Sequence, residues 1–338
     1  MTRSQERHVL VIGGCGYIGS VLVGRLLEQG CRVRVLDALL YSNGDVAADW
    51  IERPDFGLMA GDMCDADVLH AALEGVTDVV LLAALVGDPI CKAYPDEARR
   101  VNELGAQLVF DALHGRGIDR FVFFSTCSNY GLRADGEAAL ETSALNPQSL
   151  YAETKVATEG HVLARADQAD FHATVLRVAT AYGLSRRMRF DLTVSEFTRE
   201  LALKRTLLVY DENTWRPYCH VQDVVKAVIT VLQAKPDLVR GEVFNVGGNA
   251  ENYTKQRIVD IVLGQLPGGD IEYKAGGGDP RDYKVSFDKI ETQLGFRPDH
   301  NVAKGVRNLI AALKAGLFAD ADARKRFYGN CAIGGAHS

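Results

Sequence analysis

The chain has 338 residues, 47% of them hydrophobic, and a formal net charge of −6. That length and apolar share can bury a large core as two domains or lobes, while the negative balance, with no basic cluster to offset it, argues against a general nucleic-acid binder. No apolar run approaches the roughly 18 residues needed to cross a bilayer, and the opening MTRSQERH has no signal-peptide core, so a cytoplasmic protein without a membrane partner is expected.

Residues 9–12 (VLVI) read as a buried parallel strand and 17–29 as an amphipathic helix, with a tight turn between them. Gly13 and Gly14 permit the turn, Gly16 removes the side chain that would hold a diphosphate away, and Gly19 lets the helix pack closely on the strand. The helix N-terminus then faces the anion. A second strand, 32–36, ends in Asp37, which lies 18 residues beyond Gly19, close to the spacing of about 20 expected for a carboxylate on the adenosine ribose. That carboxylate repels a 2′-phosphate, and no arginine immediately follows it. NAD is therefore expected rather than NADP.

Further strand-like segments alternate with helical ones: 56–60 leads into Gly61-Asp62, 78–82 into Ala83-Ala84, 120–124 into Ser125-Thr126, and 173–177 toward Tyr182-Gly183. The pattern is that of a Rossmann-type, doubly wound parallel α/β sheet, whose ligands sit beyond the carboxyl ends of the strands. Asp62 is placed to accept a bond from the adenine amino group, or else caps the helix that starts in GDMCDAD. Leu82, Ala83 and Ala84 line the nucleotide path.

The catalytic signal is YAETK. On a helix, Tyr151 and Lys155 project from one face, so phenol and ammonium can point together into the cleft. Bringing a phenol from a pKa of about 10 to neutral pH needs about 4 kcal/mol of electrostatic help, which Lys155 and a cationic nicotinamide could supply. Thr126, at the end of its strand, is a natural hydrogen-bond partner for the same substrate hydroxyl.

Together, GGCGYIGS, Asp37, Gly61-Asp62, VNELGA around Asn102, FFSTCSNYG at 123–131, YAETK, LRVATAYG at 176–183 and WRPYCHVQDV at 215–224 resemble the extended short-chain dehydrogenase/reductase family, specifically its NAD-dependent nucleotide-sugar epimerases and dehydratases. The resemblance implies a Rossmann domain over 1–182 and a smaller α/β substrate-binding domain mainly over 183–325, with some segments returning to the first. It also implies a tightly held NAD and a catalytic set of Thr126, Tyr151 and Lys155. Tyr17, Ile18, Met63, Asn102, Ser125 and Val178 join the dinucleotide contacts on the same ground. Arg216 in WRPY and Arg281 in GDPRDY match positions that grip the nucleotide diphosphate of a sugar substrate, a role suited to arginine's forked donors. Thr180, standing where asparagine is often found, and Arg189 in SRRMRFDL are the other substrate residues. Relatives generally dimerise through two helices per subunit, one of them carrying the tyrosine and lysine, so a homodimer is implied.

Dehydratases resembling the 4,6-dehydratases carry an Asp-Glu pair directly after the catalytic threonine. Here Cys127 and Ser128 stand there, and neither replaces a carboxylate in acid/base work, so dehydration is not expected. The segments LAALVGDPICK and SRRMRFDL look closer to a branch that includes nucleotide-heptose C4 oxidoreductases. The expected reaction is oxidation at sugar C4 to a 4-keto intermediate, which ends as the C4 epimer or is released by a net dehydrogenase. Two other readings stay open: a non-catalytic dinucleotide-binding sensor, disfavoured by Tyr151 and Lys155, and a steroid- or flavonoid-type reductase, disfavoured by Asp37, Arg216 and Arg281.

Residues 267–283, rich in glycine, read as a mobile substrate-side loop, and 302–318 as a terminal helix. From 326 to 338 periodicity is lost, and the segment reads as a loose tail or one exchanged with a partner. Seven scattered cysteines and eight unclustered histidines predict free thiols and no metal.

Overall fold

The computed structural model describes residues 7–133, 136–277, 281–330 and 332–333. Seven strands form its central sheet: β1 His8–Ile12, β2 Arg32–Asp37, β3 Phe56–Ala60, β4 Asp78–Leu81, β5 Arg120–Thr126, β6 His172–Val178 and β7 Glu242–Val246. Their spatial order is β3-β2-β1-β4-β5-β6-β7, with every neighbouring pair parallel. Consecutive residues of β1 serve opposite faces, as the strand period of two requires. Val9 and Val11 enter one core with Leu22 and Leu26, while Leu10 and Ile12 enter another with Leu81 and Phe121. Both faces are covered, which explains why this strand reads as a continuous apolar run. The chain winds outward from β1 to β3 and then returns to place β4 on the other side of β1. A crevice opens where the order reverses, beyond the carboxyl ends of these strands.

The smaller lobe holds a three-stranded sheet in which Trp215–His220 pairs parallel to Thr180–Tyr182 and antiparallel to Asn252–Thr254. The helices Thr193–Ala202, Lys255–Leu263 and Val302–Lys314 close over it around Tyr182, Phe197, Tyr218, Ile258 and Val306. Strand β7 and the helix Val221–Gln233 return from this half of the chain to the main sheet, the helix packing against Tyr17–Glu28.

Two local expectations differ from what is seen. Within the stretch 267–283, Ile271–Lys274 is a strand paired in parallel with Leu207–Tyr210, while 278–280 lie outside the described residues. The expected loose tail is packed as far as Asn330. Phe327 and Tyr328 are buried, Tyr328 lies 5.7 Å from the Phe190 ring, and the Phe190 amide donates to the Tyr328 carbonyl at 2.8 Å. Aromatic anchoring holds this segment without any helical period to announce it. Cys331 and residues 334–338 lie outside the described residues. Among those described, no helix is long and apolar enough to cross a membrane.

Candidate active site

A cleft of about 530 Å³ runs over the carboxyl ends of the central strands. The turn after β1 forms its floor, with Gly13 at φ +89°, where a Cβ would meet the Ala83 amide nitrogen at 2.7 Å. A Cβ on Gly19 would collide with the Gly13 carbonyl, whereas one on Gly16 would meet only that oxygen, at 3.2 Å. Gly16 thus leaves the cleft side of the turn open, with the N-terminus of the helix Tyr17–Glu28 behind it. This is a cradle for a diphosphate, and it fits a dinucleotide. Asp37 accepts from the Cys15 and Leu39 amides, each at 2.9 Å. Burial pushes its carboxyl above the ordinary range, while those two amides and the Arg187 charge pull it back.

Every residue expected at the dinucleotide lines this cleft except Asn102. Asn102 is fully buried, accepting from the Leu85 amide at 2.7 Å and donating to its carbonyl at 3.0 Å. It braces the loop after β4 and does not reach the ligand space. Asp62 lines the cleft but is shared, ion-paired with Arg100 at 2.7 Å and bonded to the Cys64 amide at 2.9 Å. Its helix, Ala66–Leu73, is capped by Asp65 instead. The Ser125 hydroxyl points to Glu159 at 2.8 Å, and Tyr17 donates to the Gly183 carbonyl at 2.6 Å.

Thr126, Tyr151 and Lys155 all line the same cleft. The helix Leu150–Arg165, capped by the Ser149 hydroxyl, carries both of the latter. Glu159 on its inner face is ion-paired with Arg177 of β6, a buried link that fixes the helix to the sheet. Lys155 is 2% exposed and donates to the Phe124 carbonyl at 2.8 Å. Burial pushes its ammonium down to about 7. The phenol of Tyr151 is not lowered by the protein alone: burial raises it, and the Arg189 and Arg281 charges only partly oppose this. The acidity expected from the Tyr-Lys spacing therefore needs a further cation.

Thr180, Arg189, Arg216 and Arg281 line the same cleft, and the Arg189 charge reaches Tyr17 and Tyr41 as well as Tyr151. Arg281 donates to the Ser128 hydroxyl and pairs with Asp88, both at 3.0 Å. Arg216 is 6% exposed and lies against the Tyr283 ring. Arg189 grips Asp191 with two nitrogens, at 3.0 and 2.5 Å. Arg187, Asp88, Tyr41 and Asn330 also line the cleft and are not singled out by the sequence. Of these, only Arg187 has a signal, its place in the basic run SRRMR.

Cys127 is buried against the Arg177 carbonyl at 3.2 Å, and burial pushes its thiol far up, which leaves it inert. The histidines prove less dispersed than their spacing suggests. His220, Asp223 and His300 have ligand atoms within 4.8 Å of one another. Those atoms are engaged: His220 Nδ1 accepts from the Gln222 amide at 3.2 Å, and Asp223 holds the Asp299 and His300 amides at 3.0 and 3.1 Å. The group caps the helix Val221–Gln233 and ties the chain at His300 to it.

A parallel sheet with a dinucleotide cradle and a Tyr-Lys helix at its switch point defines a dinucleotide-dependent enzyme of the extended short-chain dehydrogenase/reductase class. Residues 9–247 match the model of the NAD dependent epimerase/dehydratase family, and the chain belongs to that family. The cofactor is NAD, as Asp37 led one to expect. The chain is similar to a dTDP-glucose 4,6-dehydratase of Streptomyces griseus, with 31% identity over 90% of this chain and 93% of that protein. It is also similar to a UDP-glucose 4-epimerase of Corynebacterium glutamicum, with 27% identity over 86% and 91%. Among solved structures, the UDP-glucose 4-epimerase of Thermus thermophilus in complex with NAD superimposes with a TM-score of 0.80, at 25% identity over 91% of this chain and 99% of that one.

Proposed function

We propose that the protein oxidises C4 of a nucleoside-diphosphate sugar to a 4-keto sugar, the opening step of a C4 epimerase or a C4 dehydrogenase. One observation carries the reading: Thr126, Tyr151 and Lys155 lie in a single cleft between the glycine turn and the arginines Arg216 and Arg281. Gly13, Gly16, Gly19 and Asp37 would hold NAD, which when bound supplies a positive ring and the acceptor for the hydride leaving C4. Arg216 and Arg281 hold the sugar's diphosphate. Thr126 orients the C4 hydroxyl, and the ionised Oη of Tyr151 takes its proton as C4 becomes a carbonyl carbon. Lys155, anchored on the Phe124 carbonyl in the same cleft, adds positive charge for the phenolate when protonated. Water loss is not supported, because a buried thiol and a serine hydroxyl follow Thr126.

The test is turnover against a panel of nucleotide sugars, reading reduced cofactor and epimer formation. Tyr151→Phe is expected to keep NAD while losing about 10²-fold or more of the rate. Near-normal turnover in that variant refutes the assignment. A wild-type protein inert to the whole panel points to a sensor.

A further inference from the structure

We infer that Arg187 grips a phosphate of the bound dinucleotide from the side opposite the glycine turn. Arg187 is 2% exposed and lines the cleft. Its guanidinium has no carboxylate within ion-pairing distance among the described residues. It holds one amide, Asn330 Oδ1 at 2.8 Å, and lies 4.1 Å from the Tyr41 ring centroid. Its Nε has no partner, and neither does the hydroxyl of Tyr41, which is 8% exposed and lines the same cleft. A buried guanidinium with an unpartnered Nε and no ion-paired carboxylate among the described residues, beside a buried unpartnered hydroxyl, is costly unless an anion completes them. Burial and the neighbouring Arg189 push the guanidinium down to about 10, the direction expected of a charge lacking its counter-ion.

NAD and a nucleotide sugar both carry a diphosphate, and the surroundings of Arg187 favour the former. The chain leading to it lies over the first turn of the cofactor helix, where Ser185 Oγ donates to the Tyr17 carbonyl at 2.7 Å and meets Ser20 Oγ at 2.9 Å. Tyr41 belongs to the segment after Asp37 that is fastened to the glycine turn by Asn43, whose amide donates to the Cys15 carbonyl at 2.8 Å. Arg187 therefore sits against the dinucleotide wall, between the chain over the cofactor helix and the segment after Asp37. Asn330 orients it and also donates to the Val86 carbonyl at 3.1 Å, so the packed C-terminal segment backs the clamp. The inference rests on NAD being the cofactor and not on the sugar chemistry; an inert sugar panel leaves it standing.

The test uses the full-length protein and two probes, NAD and UDP. Arg187→Met is expected to weaken NAD about thirtyfold and to lose it on gel filtration, with UDP affinity of the NAD-saturated protein kept within about twofold. Arg187→Lys, which keeps the charge, is expected to recover most of the NAD affinity. Should the Met variant fail to fold, Asn330→Ala is expected to weaken NAD about fivefold at an unchanged UDP affinity. Unchanged NAD affinity in the Met variant, or in Asn330→Ala where that variant stands in, overturns the inference. So does a loss confined to UDP, which would assign the arginine to the substrate's phosphate.

Discussion

The near half of the cleft is walled by backbone and small residues, whereas the far half is walled by long charged side chains from distant segments. Glycine amides and a helix terminus need only a short stretch of chain after β1. Arg216 and Arg281, with Asp88 against the latter, need distant loops to be assembled first. The first design tolerates no added atom; the second tolerates change and tunes what is bound. Gly19→Val breaks the near half most severely. Its branched side chain has to displace the Gly13 carbonyl, so NAD retention is expected to fall more than a hundredfold, with a lowered melting temperature. Retained NAD at wild-type level would show that the turn is far more pliable than its contacts indicate.

Lys155 lies on the seam between the halves and gives the next largest effect. Its ammonium titrates near 7 in the folded protein against an ordinary 10.5, because burial disfavours the charge. Between those values the unfolded chain holds a proton on this lysine that the folded protein does not, so stability rises with pH across that window. Below about pH 7 both states are charged and the burial penalty is fully present. Lys155→Met removes the penalty. In urea unfolding of NAD-stripped protein, the variant is expected to gain up to a few kcal/mol over wild type at pH 6, with the gain shrinking toward pH 10. A gain independent of pH would mean that the lysine is not desolvated in the native state.

The same contrast governs what is legible in the sequence. β1, the glycine turn, Asp37 and the Tyr-Lys helix are local patterns, and each is where its spacing puts it. β7 escapes such a reading because five residues, EVFNV, flanked by glycines carry too little periodicity to separate a strand from a turn. Asn102 is placed at the dinucleotide by the resemblance of VNELGA alone, yet its side chain serves Leu85, a partner fixed by tertiary packing. Arg187 is overshadowed by Arg189 two residues on. Only the fold shows that Arg189 is satisfied by Asp191 while Arg187 lacks a carboxylate, a difference set by Asn330, 143 residues away. Pairings of that range are invisible to a residue-by-residue reading.

The finest cut between the halves comes from Arg216, which has the smallest expected effect. It is buried against the Tyr283 ring, and its strand pairs with Asn252–Thr254 in the smaller sheet and not with β1. A charge-assisted bond from such a guanidinium to a diphosphate is worth about 1.5–3 kcal/mol, of which glutamine keeps the neutral part. Arg216→Gln is therefore expected to raise KM for the nucleotide sugar about tenfold while NAD retention stays within about twofold. A matching loss of NAD would mean that the two halves act as one binding unit; a fall in kcat at unchanged KM would place the arginine's effect in the transition state rather than in holding the substrate.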